Sequence, residues 1–382
     1  MIKKSFKNPL LVHLSILEDP RSGENYRHDF LEVMFITVCA VICGCENWTE
    51  IEDYAEAKQE WLSQFLELKN GIPSHDTFRR IFCILEFDEF QKFFIKWTSE
   101  IRKKLNIKND QICIDGKTLR RCFKSRSSKA LHMVSAWSSG TSLSLGQVAT
   151  EKKSNEITAV PELLKILEIK GCLVSLDAMG CQRNIADKIT KKGADYLLAV
   201  KENQKNLYEA TEEIFRRNST SYKNKLRSDN YQLAEENKHG RDEVRKCRVI
   251  YLEKEIGFFP HKDWTDVSAI VRIQSERIIR STGEISSEIR YYISSAKKSA
   301  HEFNDCVRNH WGIENKLHWS LDVVLHEDDS RIWAEESGKN FSLLRKMVLN
   351  LLKKEPTKKG IRRKQKIAGL RDDYLLKVLF TG

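Results

Sequence analysis

The sequence predicts an α/β fold in which a mixed layer of strands and helices follows a helical segment. Between residues 112 and 201, short apolar runs typical of buried strands alternate with amphipathic helical patterns in the order βββαβαβ. Residues 1 to about 105 carry apolar residues at helical spacing almost throughout. A β-rich stretch at about 205–295 follows the alternating part. These patterns together indicate a mixed α/β layer architecture.

The composition favours a polyanionic partner. The chain has 382 residues, a formal net charge of +11 and a pI near 9.0, and its length suggests two or three domains. Hydrophobic residues make up 41% and charged residues 31%, which allows a packed core and argues against global disorder. The basic excess favours nucleic acid first and an anionic membrane second, and an inert basic surface is the alternative.

Neither a membrane span nor a secretory signal is expected. The longest apolar run, Val33 to Gly44, has 12 residues, whereas a spanning helix needs about 20, so it predicts a buried core helix. Lysines near the N-terminus have no apolar region behind them. The ten cysteines include no CxxC pair, which favours reduced, structural thiols over a metal site. We therefore expect a cytoplasmic protein.

The helical segment contains one pair of possible DNA contacts. In "NGIPSHDTFRRIF" a loop precedes a helix, and Ser74 or Asp76 is placed to cap that helix. Arg79 and Arg80 then lie just inside the helix, where they can reach phosphate or base edges of DNA. An exposed polar turn explains the same residues equally well.

The apolar runs divide the rest of the chain into strands and helices. The predicted strands are "ICID", "LHMVSAW", "LSLGQVAT", "CLVSLDA" and "ADYLLAVK", and the helices between them are "NEITAVPELLKIL" and "QRNIADKITKKG". The β-rich stretch opens with the helix "KNLYEATEEIFRRN" and continues with "EVRKCRVIYL", "WTDVSAIVRIQSERII" and "EIRYYISSA". From Asn304 the chain is helical again, and it includes the basic tract Leu351–Lys366.

Two acidic residues lie where predicted strands end. Asp115 ends "ICID" and Asp177 ends "LVSLD". Open α/β sheets place ligands at the carboxyl ends of their strands, so two neighbouring strands bring both carboxylates to one site. Close carboxylates repel unless a cation lies between them, and hard oxygen ligands suit Mg²⁺ or Mn²⁺. A pair of such ions can stabilise an in-line displacement at phosphorus, although either Asp alone is also explained as a turn residue.

A third acidic residue is expected from "HWGIENKLHWSLDVVLHEDDSRI". His310, Glu314 and His318 are four residues apart and share one helical face, on which Glu314 is the central acid. Asp322 and Asp328 are the alternatives. The same face is also explained as a solvated polar stripe or, less well, as a zinc site formed by the two histidines and Glu314.

Several motifs in order resemble one known family. They are "ICIDGKTLRR", "HMVSAW", "EKKSNEITAVPELL", "VSLDAMGCQ", "YLLAVKENQKNL", "HGRDEVR" and the His-Trp segment quoted above. With the N-terminal "RHDFLEVMF" and "NGIPSHDTFRRIF", they resemble bacterial insertion-sequence transposases of the DDE class, in the H-repeat-associated (ISAs-type) group. The resemblance runs from about Tyr26 to Leu379.

This resemblance implies both an architecture and a reaction. It implies an RNase H-like catalytic domain at 106–382 with a β-rich insertion, after a helical transposase-associated domain at 1–105 that is a candidate DNA-binding domain. The implied catalytic triad is Asp115, Asp177 and Glu314, which would also hold two Mg²⁺ or Mn²⁺ ions. The implied reaction is metal-dependent cleavage at insertion-sequence ends, followed by strand transfer of the 3′-hydroxyl into target DNA.

Basic and polar residues near the two Asp residues are the remaining candidate DNA contacts. They follow the first Asp, follow the strand "YLLAV" or lie in the insertion: Lys117, Arg120, Arg121, Lys201, Asn203, Gln204, His239, Arg241 and Arg245. A solvated basic helix start also explains the first three.

The expected partners are the terminal inverted repeats and target DNA, in a homo-oligomeric synaptic complex associated with the bacterial nucleoid. Two alternatives stay open. One is an RNase H-like nuclease that cleaves without strand transfer, and the other is a domesticated DNA-binding protein without catalysis.

Overall fold

The structure is a computed structural model and describes residues 8–23, 26–107, 109–121, 131–150, 156–220, 226–238, 240–253 and 256–381. Its α-helices are α1 (Pro9–Leu14), α2 (Phe30–Ile42), α3 (Trp48–Ala57), α4 (Gln59–Leu62), α5 (His75–Ile84), α6 (Phe87–Leu105), α7 (Glu156–Ile166), α8 (Arg183–Lys191), α9 (Lys205–Thr220), α10 (Ala300–His310), α11 (Trp319–Val323), α12 (Ser337–Lys354), α13 (Ile361–Leu370) and α14 (Asp372–Leu379). Its strands are β1 (Gln111–Thr118), β2 (His132–Ser138), β3 (Ser144–Thr150), β4 (Leu173–Leu176), β5 (Asp195–Val200), β6 (Ser228–Lys238), β7 (Arg241–Tyr251), β8 (Ala269–Ile279) and β9 (Ile285–Ser294).

The strands of the described residues form one nine-stranded sheet in the order β3-β2-β1-β4-β5-β9-β8-β7-β6. β1, β4 and β5 are parallel, while every other neighbouring pair is antiparallel. Helices α7 and α8 precede the parallel strands β4 and β5. The predictions of an α/β fold and of the order βββαβαβ are confirmed.

The edge strand β6 has no counterpart among the sequence predictions. Its segment "SDNYQLAEENK" is mostly polar, so it lacks the apolar run that indicates a strand. Pairing with β7, from Ser228 opposite Ile250 to Lys238 opposite Arg241, holds it in place. Edge strands commonly carry charged residues, which discourage pairing with other chains.

The N-terminal helices and the sheet share one continuous core. The prediction that Val33–Gly44 forms a buried helix is confirmed by α2, and no described helix is long and apolar enough to cross a membrane. Helix α12 connects the two parts because it packs against α2, α5, α6 and β3. Its Phe341 ring lies 5.1 Å from the Trp48 ring and 6.3 Å from the Phe82 ring, centroid to centroid.

The strands of the β-rich stretch project past the end of β5. Only the last part of β9 pairs with β5, and there Val200 lies opposite Tyr291. The preceding residues 285–290 still pair with β8, so they extend beyond the carboxyl end of β5. Six residues at strand spacing span about 20 Å. The projecting strands therefore flank the edge of the sheet at which the parallel strands end.

Removing the Phe341 ring is expected to weaken the packing of the N-terminal helices against α12. Phe341 is fully buried, and Phe→Ala substitutions in cores cost about 3–5 kcal/mol. The free energy of unfolding, measured by urea denaturation of Phe341→Ala, is expected to fall by that amount. The control is Phe380→Ala, because the Phe380 side chain is exposed. Equal stability of Phe341→Ala and the native chain would contradict the packing.

Candidate catalytic centre

Of the two predicted strand-end acids, Asp115 lies on β1 and Asp177 directly follows β4, the parallel neighbour of β1. Ile114 of β1 is level with Leu176 of β4, the last residue of that strand, so Asp115 and Asp177 come next in register. β1 continues past this point because β2 still pairs with it, and Asp115 lies opposite Ser135. Asp115 and Asp177 therefore lie at the carboxyl edge of the parallel strands, where open sheets bind ligands.

Backbone and side-chain hydrogen bonds order the loop that follows Asp177. The backbone N–H groups of Met179 and Gly180 donate to Asp177 Oδ1 at 3.0 and 3.2 Å. Asn203 Nδ2 donates to the carbonyl of Ala178 at 2.8 Å. Gln204 Nε2 donates in the same way to the carbonyl of Cys181, at 3.0 Å. The predicted DNA contacts Asn203 and Gln204 are thus engaged in bracing this loop.

Glu314 reaches the same edge from a π-helical turn, Ile313–His318, that joins α10 to α11. The structure departs here from the regular helix that the spacing predicts. A Cβ on Gly312 would lie 2.7 Å from the Trp137 ring, so glycine permits a close approach of this segment to β2. Leu317 and His318 are buried beneath the turn while Glu314 is exposed.

One cavity of about 210 Å³ brings the three predicted acids together. Side chains from β1, β4, β5, β9, the loop after β4 and the α10–α11 segment line it. Those that carry charge or polarity are Asp115, Ser175, Asp177, Lys201, Arg290, Tyr292, His310, Trp311 and Glu314. Residues more than 130 positions apart in the sequence therefore face one space.

Burial and the neighbouring acids raise the pKa of both aspartates in the cavity, although Lys201 and Arg290 also line it. Burial, and then the charge of Glu314, raise the pKa of Asp115 to about 7. Burial also raises the pKa of Asp177. His318 Nδ1 lies 3.5 Å from Asp115 Oδ2, but burial lowers the pKa of His318 to about 3, so its ring is neutral. Asp115 thus has no charged partner in His318.

The donor set of the cavity fits a divalent cation. Three carboxylates supply hard oxygen atoms of the kind that Mg²⁺ and Mn²⁺ prefer, and a cation would offset their repulsion. Within the described ranges, no three His, Cys, Asp or Glu side chains already lie close enough to hold an ion. The zinc alternative gains no support, because His310, Glu314 and His318 do not form such a group among the described residues.

Two family descriptions match the chain. Residues 11–98 match "DDE_Tnp_1-associated", and residues 107–351 match "Transposase DDE domain". The chain belongs to the DDE transposase family. The resemblance seen in the sequence motifs is confirmed.

Curated relatives agree with this membership. The chain is 41% identical over 374 residues to the "H repeat-associated putative transposase YhhI" of Escherichia coli K12, covering 97% of each chain. It is also 41% identical to the "Putative transposase YncI" of E. coli O157:H7, covering 97% of this chain and 94% of that one. A solved piggyBac transposase synaptic complex with hairpin DNA aligns with 97% of this chain and 79% of that chain, at a TM-score of 0.38 and 10% identity.

Lys117 of this DDE-family chain lies in a buried ion cluster. Its Nζ forms ion pairs with Asp322 and with Glu327, the latter at 2.7 Å. Glu327 is fully buried, accepts a hydrogen bond from Ser342 Oγ at 2.8 Å and lies 3.8 Å from Lys346 Nζ. Burial opposes the charge of Lys117, but Glu327 and Asp322 outweigh it and raise its pKa. This position favours a structural role for Lys117 over the predicted phosphate contact.

The other predicted DNA contacts divide by exposure. Six basic side chains are exposed, namely Arg79, Arg80, Arg120, Arg121, Lys201 and Arg241. Arg245 is 8% exposed, and its guanidinium contacts Asn304 Oδ1 at 3.3 Å and Glu243 Oε1 at 3.4 Å. Arg245 is therefore better explained by packing between β7 and α10 than by contact with DNA. His239 lies outside the described residues.

Arg290 is a cavity residue that the sequence motifs do not single out. It lies on the part of β9 that projects past β5 and lines the cavity with the three acids. Its guanidinium forms a two-pronged ion pair with Glu288, at 2.6 and 2.8 Å, and stacks 4.9 Å from the Trp311 ring centroid. The only sequence signal was the basic face of "EIRYYISSA", which many exposed strands share.

Replacing Lys117 is expected to destabilise the fold, because Glu327 would stay buried next to fewer cations. Removing one partner of a buried ion pair costs about 3–5 kcal/mol. The measurement is the free energy of unfolding of Lys117→Met, with Arg120→Met as control because the Arg120 side chain is 82% exposed. A Lys117→Met protein of native stability that has lost affinity for DNA would instead support the phosphate contact.

Proposed function

We propose that this chain is an active transposase that cleaves DNA at the ends of an insertion sequence and transfers the resulting 3′-hydroxyl into target DNA. The observation that carries the proposal is the convergence of Asp115, Asp177 and Glu314 on one cavity at the carboxyl edge of the sheet. The strand order β3-β2-β1-β4-β5, antiparallel first and parallel afterwards, supports the proposal of an RNase H-like catalytic domain.

Asp115, Asp177 and Glu314 are the proposed metal ligands. Bound Mg²⁺ or Mn²⁺ would neutralise the carboxylates and the negative charge that develops on the phosphate during displacement. The chain's own contribution is positioning. Asp177 is oriented by the backbone N–H groups of its loop, which Asn203 and Gln204 brace.

The DNA backbone is proposed to enter between the cavity and the projecting strands of the β-rich stretch. Lys201 is exposed at the end of β5, and Arg290 lies across from it on β9. Cations at these two places are suited to phosphate oxygens. The helical N-terminal segment adds Arg79 and Arg80, which are exposed on α5.

The wider proposal concerns assembly and location. Two DNA ends must be brought together for strand transfer, so we propose that copies of the chain assemble on the inverted repeats and act at the nucleoid. Exposed Arg120, Arg121 and Arg241 are the further proposed contacts with DNA.

Loss of any one carboxylate is expected to abolish cleavage. A metal site contributes several kcal/mol to the transition state, so Asp115→Asn, Asp177→Asn and Glu314→Gln should each slow cleavage by about 1000-fold. The assay uses the full chain, Mg²⁺ and labelled DNA from the flanks of its own gene. Asp305→Asn is the control, because Asp305 lies on the outer side of α10, 3.7 Å from His301.

A second arm of the same assay separates transposition from simple nuclease activity. A pre-cleaved end with a free 3′-hydroxyl is mixed with a circular target plasmid. Joined products that disappear in Asp115→Asn support strand transfer, whereas cleavage without any joined product supports the nuclease. Cleavage at the native rate by Asp115→Asn would contradict the proposed catalytic centre.

Lys201 is expected to contact one phosphate. Removing one such contact weakens binding to all DNA sequences alike and lowers the slope of log affinity against log salt by about 1. Fluorescence anisotropy of Lys201→Ala at several salt concentrations measures this slope. Lys191→Ala is the control, because Lys191 lies on α8 in an ion pair with Asp187. An unchanged slope for Lys201→Ala would exclude the contact.

A further inference from the structure

His310, the last residue of α10, lies over the strand that leads to Asp177. Its Nδ1 is 3.0 Å from the Oγ of Ser175, a residue of β4 that precedes Asp177 by two positions. Alternate residues of an extended chain point to the same face of a sheet and lie about 7 Å apart. The His310 ring is therefore near Asp177 on the face of the candidate catalytic centre, and it lines that cavity.

A series of hydrogen bonds fixes which nitrogen of His310 carries the proton. Gln111 Nε2 donates to the backbone carbonyl of Cys306 at 2.8 Å, and because a carbonyl only accepts, this contact sets the orientation of the amide. The same nitrogen donates to Ser175 Oγ at 2.9 Å. Ser175 then has its own O–H left to donate, and His310 Nδ1 is the acceptor. The proton of a neutral ring is therefore on Nε2.

The Nε2 atom of His310 is open to a ligand. No described residue forms a hydrogen bond or an ion pair with this atom, and it is not among the polar atoms that are enclosed without a partner. Nε2 of the neighbouring His318 is, by contrast, enclosed. Since His310 lines the cavity of the three carboxylates, its Nε2–H is available to a group that enters this cavity.

The His310 ring is uncharged at neutral pH. Burial lowers the pKa of His310 to about 4. A neutral N–H group does not repel a bound cation, whereas an imidazolium would. The ring can therefore donate a hydrogen bond beside a divalent metal ion without weakening the binding of that ion.

We propose that His310 is a further catalytic residue, whose Nε2–H donates a hydrogen bond to a non-bridging oxygen of the scissile phosphate. The inference rests on the proposed function and deepens it, because it names a group outside the three carboxylates that touches the DNA. Charge is redistributed over the phosphate oxygens during the displacement, and a preorganised donor stabilises the transition state there. Ser175 and Gln111 act through His310 and are its positioning residues.

The first test is single-turnover cleavage by the full chain with Mg²⁺ and labelled DNA from the flanks of its own gene. His310→Leu removes the donor, and the cleavage rate is expected to fall about 100-fold, as is usual when one preorganised donor to a transition state is lost. His310→Gln keeps an N–H near the place of Nε2 and is expected to recover part of this loss. The control is His301→Leu, because His301 lies on the same helix with 59% of its side chain exposed.

Mn²⁺ binding in the absence of DNA separates a donor from a metal ligand. Electron paramagnetic resonance measures the affinity of the full chain for Mn²⁺. His310→Leu is expected to bind Mn²⁺ as the native chain does, which would also show that the carboxylates are still in place. A fall in affinity of about 10-fold or more would make His310 a metal ligand and would overturn its role as a donor.

The tautomer of His310 supplies a readout that needs neither DNA nor activity. Nuclear magnetic resonance of the full chain with ¹⁵N-labelled histidine is expected to show a neutral ring protonated on Nε2 at pH 7, with His310→Gln identifying the signals. Ser175→Ala is expected to lose this preference and to slow cleavage about 10-fold, as the loss of one hydrogen bond does. A proton on Nδ1 in the native chain would overturn the proposal.

The outcomes separate this inference from the proposed function. If Asp115→Asn is inactive while His310→Leu cleaves at the native rate, the three carboxylates stand and His310 is not catalytic. If the native chain cleaves no better than Asp115→Asn, the proposed function fails and the inference fails with it. Slow cleavage by His310→Leu, with native Mn²⁺ affinity and partial recovery in His310→Gln, supports the hydrogen-bond donor.

Discussion

Repulsion among the carboxylates of Asp115, Asp177 and Glu314, at the carboxyl edge of β1 and β4, shapes the electrostatics of the whole site. The sheet brings Asp115 and Asp177 level, and the α10–α11 segment adds Glu314 to the same cavity. His318, whose Nδ1 lies 3.5 Å from Asp115 Oδ2, is neutral because of its burial. Lys201 and Arg290 also line the cavity, but Arg290 is ion-paired with Glu288, so the three carboxylates still favour a divalent cation.

The buried lysines nearest the site, Lys117 and Lys346, pair with acids that do not belong to the candidate catalytic centre. Lys117 is only two residues beyond Asp115, yet its ammonium faces Asp322 and Glu327. These contacts connect β1 with the end of α11 and, through Lys346, with α12. The cluster fixes the α10–α11 segment on the sheet, and so it contributes to the position of Glu314 without entering the cavity. Lys117 and Asp115 are thus only two residues apart in the sequence, yet Lys117 belongs to the structural ion cluster and Asp115 to the candidate catalytic centre.

The β-rich stretch shapes the cavity by extending the central sheet. β9 pairs with β5, and the part of β9 that projects past β5 carries Arg290. Arg290 thereby lines the cavity from β9, whereas Asp115 and Asp177 line it from β1 and from the loop after β4. The stacking of Arg290 against Trp311 connects this wall to the segment that bears Glu314. Sheet pairing and one cation–π contact therefore align residues that the chain separates widely.

Local patterns in the sequence predict the α/β class, the order of the central strands, the buried helix α2 and the membership of the DDE family. Those features follow from local apolar periodicity and from motifs that are continuous in the chain. It also predicted Asp115 and Asp177 from strand ends, and Glu314 from helical spacing together with the family motif, all of which are local signals.

Which of the candidate side chains are accessible to DNA depends on contacts in the folded protein. Lys117, Arg245 and Asn203 look alike as polar residues near a site, but ion pairing, burial and loop bracing occupy them in the fold. Arg290 lacks a local signal because its proximity to the acids comes from the pairing of β9 with β5. Contacts between distant segments depend on three-dimensional packing, which residue periodicity does not encode.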